Sequence, residues 1–544
     1  MESSAPEIEL LFGEEVLKRL SRSDISELWN PLIDACPWAT AFQRLEFVSS
    51  WYELYQKEYT PILILETIAD KITGIFPLAL DKRKHLIGAG ADQAEYQVWV
   101  YQTTNCQYFL DRSLHMLWNK ISPEAIHLKY LPEGIPLETF SQKHFWKKRS
   151  QIKVHRHPIL STFSEKPYLE IKKKNKREKL NRLKRQGELQ FIKINEWNEF
   201  TEILDELIIQ SDFRKGAVYN RMLFKVDPLR RDFMMGLFKN RLLHVSLLKL
   251  NEEIIASNVG VMGKNWVHLQ GINTHSPFYA KHSPGILHFL MLAQDLKAEN
   301  IEIFDLTPGA DTYKSSLASE FKTAYELTIQ SPSKVLINEW KNNFIINTKK
   351  QLKGIGYNEA RLRKIKSHLL FVKNKWKHLL KQGPLLHLQK AYSNKMSKTS
   401  VQIIVINNKI KNDTTLNIQK NNLNDLLKYE ANHETLPMQA FLMDCMKKFE
   451  EGQECWTYVK EGKLQTLAWF TEIPKNSLIT ADQIKLSNLN GIFQEFYLGN
   501  KGNNHIKPFI LKLISLKTIE GKELLFYTNN KKIQKILMDI KVPN

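Results

Sequence analysis

The sequence is short of cysteines, of long apolar stretches and of acidic residues. Its 544 residues include four cysteines that lie far apart, without a CxxC pair or a Cys/His cluster. This spacing argues against a disulfide framework and a structural zinc motif, so we expect a reducing compartment and no metal. No stretch approaches 18 consecutive apolar residues, which argues against a transmembrane helix. The acidic first residues lack the apolar segment of a secretory signal, so we expect a cytoplasmic protein.

Acidic residues are outnumbered by lysine and arginine, 58 to 78, and the formal net charge is +20. Most of the excess lies in two segments. Residues 172–185 hold nine basic residues and one acid, and residues 341–398 hold fifteen basic residues and one acid. Segments of this density favour an anionic partner, either RNA or a membrane surface, although solvated helix faces also carry such charge.

The patterning divides the chain into four parts. Each of the three larger parts alternates helices with short strands, which predicts an α+β fold. A basic helical linker or arm separates the second of these parts from the third. In it leucine, phenylalanine and tryptophan interleave with lysine, as in an interfacial helix, so a protein at the membrane periphery is one reading. The predicted boundaries are 1–160, 161–335, 336–398 and 399–544.

The second part contains the most informative order of elements, with three strands, a loop, a helix and a strand between residues 243 and 306. The loop before the helix contains Ser283, Pro284 and Gly285. Proline is tolerated at a helix start, where its missing N–H would have no partner, and glycine lets a ligand approach the backbone. Free amides and the helix dipole suit a pyrophosphate there, but an ordinary helix start gives the same pattern.

Five segments between residues 20 and 330 carry a resemblance to a known family. They are FQRLEFVSSWYELY, ITGIFPLAL, KREKLNRLKRQGEL, LLKLNEEIIASNVGVMGKNWVHLQGINTHSPFYAKHSPGILHFLMLAQ and FDLTPGADTYKSSL. In order and spacing they resemble the GNAT-superfamily acetyltransferases of cellulose and exopolysaccharide biosynthesis, the CelD-type family. The resemblance implies two GNAT-like folds in tandem, as in the FemAB peptidyltransferases, with the donor site in the second.

The resemblance also implies the chemistry. Acetyl-CoA or another acyl-CoA would be the donor. The acceptor would be an amine or hydroxyl of a sugar, a polysaccharide precursor or another small cytoplasmic molecule. A base would take the acceptor's proton and a backbone N–H would stabilise the oxyanion, without a metal. We expect both basic segments to lie outside this donor site.

Three groups of residues are the candidates for the site. The predicted catalytic residues are His275, Asp305, Tyr313 and Lys314. The predicted donor-binding residues are Asn273, Thr274, Ser283, Gly285, Ile286 and Leu287. The predicted acceptor-binding residues are Asp92, Tyr96 and Arg214.

Each catalytic candidate also has a simpler reading. Imidazoles titrate near the working pH, so His275 or His282 is the candidate base, with a surface loop as the alternative for both. Asp305 ends a strand and is as consistent with a loop cap as with catalysis. Tyr313 would donate to the leaving thiolate and Lys314 would bind an acidic group, because a Gly/Pro loop presents them at a strand end.

Some departures from the family pattern leave the acceptor open. Residues 91–96 read ADQAEY where relatives carry a Ser-Asp-Tyr-type segment. Arg214, in a predicted turn after a helix, faces either the acceptor or solvent. In the last part, residues 499–502 (GNKG) precede a helix as a pyrophosphate loop would, but Asn504 replaces a small residue. We therefore expect a third GNAT-like unit without strong cofactor affinity.

Two other functions compete with acyl-CoA-dependent transfer. One is a FemAB-type transferase that uses aminoacyl-tRNA, in which the basic segments bind RNA. The other is a non-catalytic GNAT scaffold that binds an anionic membrane or polymer. The oligomeric state is not encoded in any of these patterns.

Overall fold

The chain folds into two compact units, seen in a computed structural model. The first comprises Met1–Ile208, Phe224–Ser276 and His282–Gly356, and the second comprises Ile209–Leu223, Pro277–Lys281 and Tyr357–Asn544. The structure describes residues 6–102, 106–309, 311–341, 402–406, 416–431, 436–472, 489–499, 503–518 and 523–541. The predicted basic arm lies outside these residues from position 342 onward. No helix in the described ranges combines the length and apolarity that a bilayer span requires.

Thirteen strands of the first unit form one mixed sheet. They are β1 Glu7–Phe12, β2 Thr60–Ile68, β3 Lys71–Leu80, β4 His85–Gly88, β5 Val100–Tyr101, β6 Ala125–Pro132, β7 Ser150–Ser161, β8 Leu189–Ile194, β9 Leu243–Leu250, β10 Glu253–Met262, β11 Trp266–His275, β12 Ile303–Asp305 and β13 Glu320–Gln330. The order across the sheet is β1-β2-β3-β4-β6-β13-β7-β12-β11-β10-β9-β8, and β5 pairs with β3.

Helices flank this sheet, and the ninth continues into the second unit. They are α1 Glu14–Leu20, α2 Ser23–Ala35, α3 Leu45–Tyr55, α4 Cys106–Ile121, α5 Glu138–Gln142, α6 His144–Lys147, α7 Lys166–Lys172, α8 Lys174–Lys184, α9 Trp197–Tyr219, α10 Leu223–Val226, α11 Leu229–Lys239, α12 Pro284–Ala298 and α13 Thr312–Leu317. Buried leucines and phenylalanines of α12, including Leu290 and Phe289, pack on Phe304 of β12 and form a core on one face of the sheet.

The second unit has a six-stranded mixed sheet among its described residues. Its strands are β14 Gln402–Ile406, β15 Gln419–Lys420, β16 Glu454–Lys460, β17 Lys463–Glu472, β18 Leu489–Leu498 and β19 Glu523–Thr528, in the order β14-β19-β18-β17-β16-β15. Its helices are α14 Leu423–Leu427, α15 Met438–Glu450, α16 Ile506–Lys517 and α17 Lys531–Lys541. Part of the predicted loop 499–502 lies outside the described residues.

One arrangement recurs three times along the chain. Antiparallel strands lead to a last strand, a helix follows, and the next strand in the pattern pairs with that last strand in parallel. The parallel pairs are β4 with β6, β11 with β12, and β18 with β19, and α4, α12 and α16 lie between them in sequence. A parallel neighbour requires such a crossover connection. The predicted α+β class, with mixed sheets flanked by helices, is confirmed.

The two predicted halves of the first unit share strands. β7 ends the first predicted part, yet it lies between β12 and β13 of the second. β13 in turn pairs with β6 of the first. The predicted boundary at residue 160 stays a prediction. Because the two predicted halves exchange strands, β7 of the first half lies directly beside Asp305 of the second.

Gly271 lies in an irregular part of β11, where its register with β10 shifts. Its φ is +134°, and an added Cβ would lie 2.0 Å from the carbonyl oxygen of Val259. We therefore expect Gly271→Ala to lower the free energy of unfolding by about 3 kcal/mol, measured by denaturant unfolding. The control is Gly236→Ala in α11, where the added Cβ meets nothing within 4 Å. It should raise stability by about 0.5–1 kcal/mol. Equal stability of Gly271→Ala and the wild type would contradict this account.

Candidate active site

Four polar side chains meet in the interior of the first unit and are called here the polar cluster: Tyr96, His157, His268 and Asp305. Each is at most 3% exposed. The sheet explains why they meet. Asp305 ends β12, which pairs on one side with β11 at His268 and on the other side with β7, two residues from His157. Tyr96 follows the short turn Ala91–Gln93.

The Asp305 carboxylate is the centre of the polar cluster. Its Oδ2 accepts a hydrogen bond from the Tyr96 hydroxyl at 2.7 Å and lies 2.8 Å from Nδ1 of His268. Its Oδ1 lies 2.7 Å from Nε2 of His157 and accepts from the backbone N–H of Thr307, also at 2.7 Å. Nε2 of His157 is also 2.7 Å from the Tyr96 hydroxyl oxygen. Every contact of this carboxylate is therefore with a group that can donate.

Electrostatics fix the proton positions in the polar cluster. Burial alone would raise the pKa of Asp305, but the neighbouring imidazoles of His157 and His268 hold it well below its usual range. Burial and the Asp305 charge raise the pKa of Tyr96 well above its ordinary value. A carboxylate only accepts hydrogen bonds, so Nδ1 of His268 carries a proton. In the neutral ring, Nε2 of His268 is then the basic nitrogen, and among the described residues it has no hydrogen-bond partner.

A pocket of about 290 Å³ opens beside the polar cluster, and all four cluster residues line it. The loop between α2 and α3 forms one wall and contributes Trp38 and Arg44, with Arg44 paired to Asp34 at 2.9 Å. The β10–β11 turn and the start of β11 form another wall and contribute Lys264 and Trp266. The pocket thus combines indole faces, charged groups and a buried acid–base cluster at its inner end.

The pairing of β11 with β12 ends at the polar cluster. The last paired residues are His268 and Asp305, where β12 ends, and β11 continues to His275 with β10 as its partner. At that far end, an added Cβ on Gly285 would lie 3.3 Å from Nδ1 of His275, so the first turn of α12 packs against the end of β11. The pocket therefore lies toward the amino end of β11, and the start of α12 lies toward its carboxyl end.

The start of α12 fits the sequence prediction in part. The helix begins at Pro284 after Ser283, which adopts a left-handed conformation. The backbone N–H groups of Ile286 and Leu287 donate to the Ser283 carbonyl at 3.1 and 3.3 Å. These two amides are engaged within the helix, so the predicted role of Ile286 and Leu287 as amide donors to a pyrophosphate is not supported. Gly285 precedes them, and its predicted contact with the donor stays a prediction.

The basic helix lies against this helix start. Nζ of Lys179 in α8 donates to Oγ of Ser283 at 2.7 Å, and the Gln186 amide lies 3.1 Å from a ring nitrogen of His282. The expectation that residues 172–185 lie outside the predicted donor site is therefore wrong. His282 is 4% exposed, so its reading as a surface histidine is wrong as well.

The other predicted donor residues on β11 are held by the sheet. The Asn273 side chain donates to the carbonyl of Leu269 at 3.0 Å. Thr274 is buried and lies opposite Ser257 of β10. Their predicted contact with a thioester stays a prediction.

Tyr313 and Lys314 do not lie in a loop. Both are on the short helix α13, where the Tyr313 ring packs on Phe289, with their centroids 6.4 Å apart. Lys314 is buried, and its amine donates to the hydroxyl of Thr307 at 2.7 Å. Burial lowers the pKa of Lys314, and nearby carboxylates oppose that effect. Because the Thr307 N–H bonds to Asp305, Lys314 is connected to the polar cluster through one residue.

The three predicted acceptor-binding residues lie in different surroundings. Tyr96 joins the polar cluster, as described above. The Asp92 carboxylate instead pairs with Arg230, which also lies 3.2 Å from Asp227. Arg214 lies inside α9 and not in a turn, in the stretch that belongs to the second unit, so its predicted role stays a prediction.

Sequence reasoning missed His157 and His268. A signal existed for His268, because the alternation in WVHLQ places it on the face opposite Val267 and Leu269, which are core residues. For His157 the sequence shows only an HRH run before Pro158, and its place beside Asp305 depends on the strand exchange.

The low pKa of Asp305 predicts acid sensitivity. The folded state binds a proton on this carboxylate less readily than the unfolded chain does. The ionised carboxylate therefore stabilises the fold fully above about pH 4, and this stabilisation is lost as the pH falls below that value. We expect the free energy of unfolding to fall more steeply below pH 4 in the wild type than in Asp305→Asn, by up to about 1.4 kcal/mol per pH unit. Denaturant unfolding at several pH values measures this difference, and parallel curves for the two proteins would contradict it.

Comparisons with known proteins give one family match. Residues 172–315 match the family described as Acetyltransferase (GNAT) domain, a range that includes His268 and Asp305 but not Tyr96 or His157. No protein of curated function matches the sequence.

Solved structures similar to the chain have low identity to it. FemX is 8% identical, over 57% of this chain and 97% of that one, with a TM-score of 0.40. A tandem GNAT protein from the clavulanic acid biosynthesis pathway is 12% identical, over 60% and 99%, with a TM-score of 0.38. L-PGS from Bacillus licheniformis is 13% identical, over 56% and 91%, with a TM-score of 0.37. Residues 172–315, less than half of the chain, are thus similar to the GNAT acetyltransferase domain family, and the mixed sheet flanked by helices is a GNAT-like fold.

Proposed function

We propose that this protein transfers an acyl group from acyl-CoA to an amine or hydroxyl of a small acceptor. One observation supports this most: the polar cluster lies where the pairing of β11 with β12 ends, between a pocket and the start of α12. A donor at one end of β11 and an acceptor at the other could thus meet at His268 and Asp305.

The donor end would bind the phosphates of CoA. Ser283 and Gly285 begin α12, whose amino terminus favours negative charge. Lys179 adds a cation at Ser283 Oγ. From Asn273 back to His268 the strand spans about 17 Å at its usual rise, a reach comparable to that of an extended pantetheine arm. The thioester would then lie near the polar cluster.

His268 would act as the general base. Asp305 holds the Nδ1 proton of His268, so that Nε2 can take the proton of an acceptor amine or hydroxyl. The carboxylate also stabilises the imidazolium that forms. The His268 imidazolium would then give the acceptor's proton to the departing thiolate, while the hydroxyl of Tyr96, whose raised pKa keeps it protonated, would hold the Asp305 carboxylate through its hydrogen bond. On this proposal His268 takes the roles predicted for His275 and Tyr313, while His275 packs on Gly285 and Tyr313 packs on Phe289.

The pocket would bind the acceptor. Its indoles, Trp38 and Trp266, offer flat apolar faces, while Asp34, Arg44 and Lys264 offer hydrogen bonds and charge. A ring with several hydroxyl or amino groups uses both kinds of surface. This composition supports a sugar or polysaccharide precursor, the acceptor class that the resemblance to the CelD-type family implies.

A second candidate uses the surface of α7 and α8. Tyr168 and Leu169 are more than half exposed, and the Lys172 amine lies 3.6 Å from the centroid of the Tyr168 ring. Exposed aromatic and aliphatic groups beside a run of lysines suit an anionic membrane or RNA. On this proposal the protein would be cytoplasmic and membrane-peripheral, or a FemAB-type transferase that uses aminoacyl-tRNA. Residues 341–398, with fifteen basic residues, would take part in the same binding.

The test measures release of free CoA thiol from acetyl-CoA with panels of amino sugars, neutral sugars and simple amines. The proposal expects thiol release that depends on the acceptor and is lost in His268→Gln. If only aminoacyl-tRNA supports transfer, and this is lost when Lys172, Lys173 and Lys174 are neutralised, the second candidate replaces the first. If neither acyl-CoA nor aminoacyl-tRNA supports turnover, the protein would be a non-catalytic scaffold.

A further inference from the structure

A buried histidine in the first unit faces two carboxylates without bonding to either. His244 of β9 is 1% exposed, and neither of its ring nitrogens has a hydrogen-bond partner among the described residues. Asp295 and Glu299 lie one turn apart at the end of α12, beside that ring. Such a histidine is costly, because a buried polar group that loses water without gaining a partner loses stability.

The distances between His244 and the two carboxylates fit the ligands of a bound metal ion better than they fit hydrogen bonds. Nε2 of His244 lies 3.9 Å from Oδ2 of Asp295 and 3.8 Å from Oε1 of Glu299, beyond hydrogen-bond range. One ligand atom from each of the three residues lies within 4.8 Å of the others. Two ligand atoms of a tetrahedral zinc ion at about 2.1 Å are roughly 3.4 Å apart, so His244 would move only a few tenths of an ångström toward each carboxylate. The two carboxylates, which lie within 4.8 Å of each other, would close further around the ion, and a fourth position would stay open.

We propose that His244, Asp295 and Glu299 bind one first-row transition-metal dication, with Zn²⁺ the best match. An imidazole nitrogen with two carboxylate oxygens is a zinc-type ligand set, whereas Mg²⁺ and Ca²⁺ prefer oxygen ligands throughout. Within the described ranges, the buried Oδ2 of Asp295 has no hydrogen-bond partner, which gives the ion a second unsatisfied ligand atom.

The ion would join strand β9 to the carboxyl end of α12. Glu299 has a competing cation, because the amine of Lys193 on β8 pairs with its Oε1. Metal binding would displace that amine or share the carboxylate with it. The site revises the expectation from the sequence that the protein holds no metal, and it does not depend on the proposed acyl transfer.

Untagged full-length protein, stripped with a chelator and dialysed, provides the test. Titration with ZnCl₂ or CoCl₂ alone should show one saturable site per chain, a higher melting temperature and a cobalt absorption spectrum that reports nitrogen and oxygen ligands. We expect His244→Gln and Asp295→Asn each to weaken binding by at least about 10-fold. Lys193→Gln should tighten binding, because it removes the competing cation.

The control is His85→Gln, which removes another histidine that lies near a single carboxylate, Asp81, at 3.2 Å. It should leave metal binding unchanged. Binding that is absent at millimolar metal, or that persists unaltered in both His244→Gln and Asp295→Asn, would overturn the proposal. If His244→Gln does not fold, Asp295→Asn and Lys193→Gln decide, because their opposite effects arise only from a metal at this position.

Discussion

Asp305→Asn should lower kcat for acyl transfer by about 10²–10⁴-fold and leave acetyl-CoA binding unchanged. The carboxylate faces only donors: the Tyr96 hydroxyl, two imidazoles and the N–H of Thr307. An amide would turn an NH₂ group toward one of them, and His268 would lose the partner that holds its Nδ1 proton. Steady-state kinetics with saturating donor measure the change.

A variant with a similar change of charge controls for general effects. Asp205→Asn removes a carboxylate that pairs with Arg231 at 2.7 Å on the exposed side of α9. Its kcat should stay within about 2-fold of the wild type, because exposed ion pairs contribute little. The kcat of Tyr96→Phe should lie between those of Asp305→Asn and Asp205→Asn. If Asp305→Asn and the Asp205→Asn control have equal kcat values, the polar cluster takes no part in acyl transfer.

Gly285→Glu should abolish the rise in melting temperature that acetyl-CoA causes. At a donor concentration of 100 Kd, binding contributes about 2.7 kcal/mol, which corresponds to roughly 5 °C for a unit of this size. The new side chain would meet His275 at once, since its Cβ would lie 3.3 Å from Nδ1. Its charge would also repel phosphate at the start of α12. Thermal unfolding with and without donor measures the shift.

The matched control is Gly236→Glu, which adds the same side chain to α11 at a position with nothing within 4 Å of the new Cβ. It should keep the full donor-induced shift. Lys179→Ala should reduce the shift, because it removes the contact with Ser283 at the start of α12. A full shift in Gly285→Glu would place the donor elsewhere.

The sequence was sufficient for the local elements. The hairpin of β2 and β3 follows from two apolar runs around Ala69–Lys71, and both central residues, Ala69 and Asp70, adopt positive φ. The start of α12 at Pro284 and the end of β12 at Asp305 were also predictable from proline and from strand length. Each of these signals acts over a few residues, which is the range at which patterning is informative.

The contacts that form the site were not predictable in this way. The bond between Tyr96 and Asp305 joins residues 209 positions apart, and the bond between His157 and Asp305 requires β7 to enter the second half of the sheet. No local preference records which strand will be a neighbour. His244 and Glu299 illustrate the same limit, because a metal site assembled from β9 and α12 has no short motif to reveal it.

Calorimetric titration of the wild-type protein with acetyl-CoA tests the central claim most directly. The account predicts one donor site per chain with a dissociation constant at or below about 1 mM, normal binding in Asp305→Asn, and no detectable binding in Gly285→Glu. This pattern would show that donor binding at the carboxyl end of β11 does not depend on the polar cluster. Absence of heat at millimolar acetyl-CoA or any other acyl-CoA in the wild type would contradict the proposed acyl-CoA-dependent transfer.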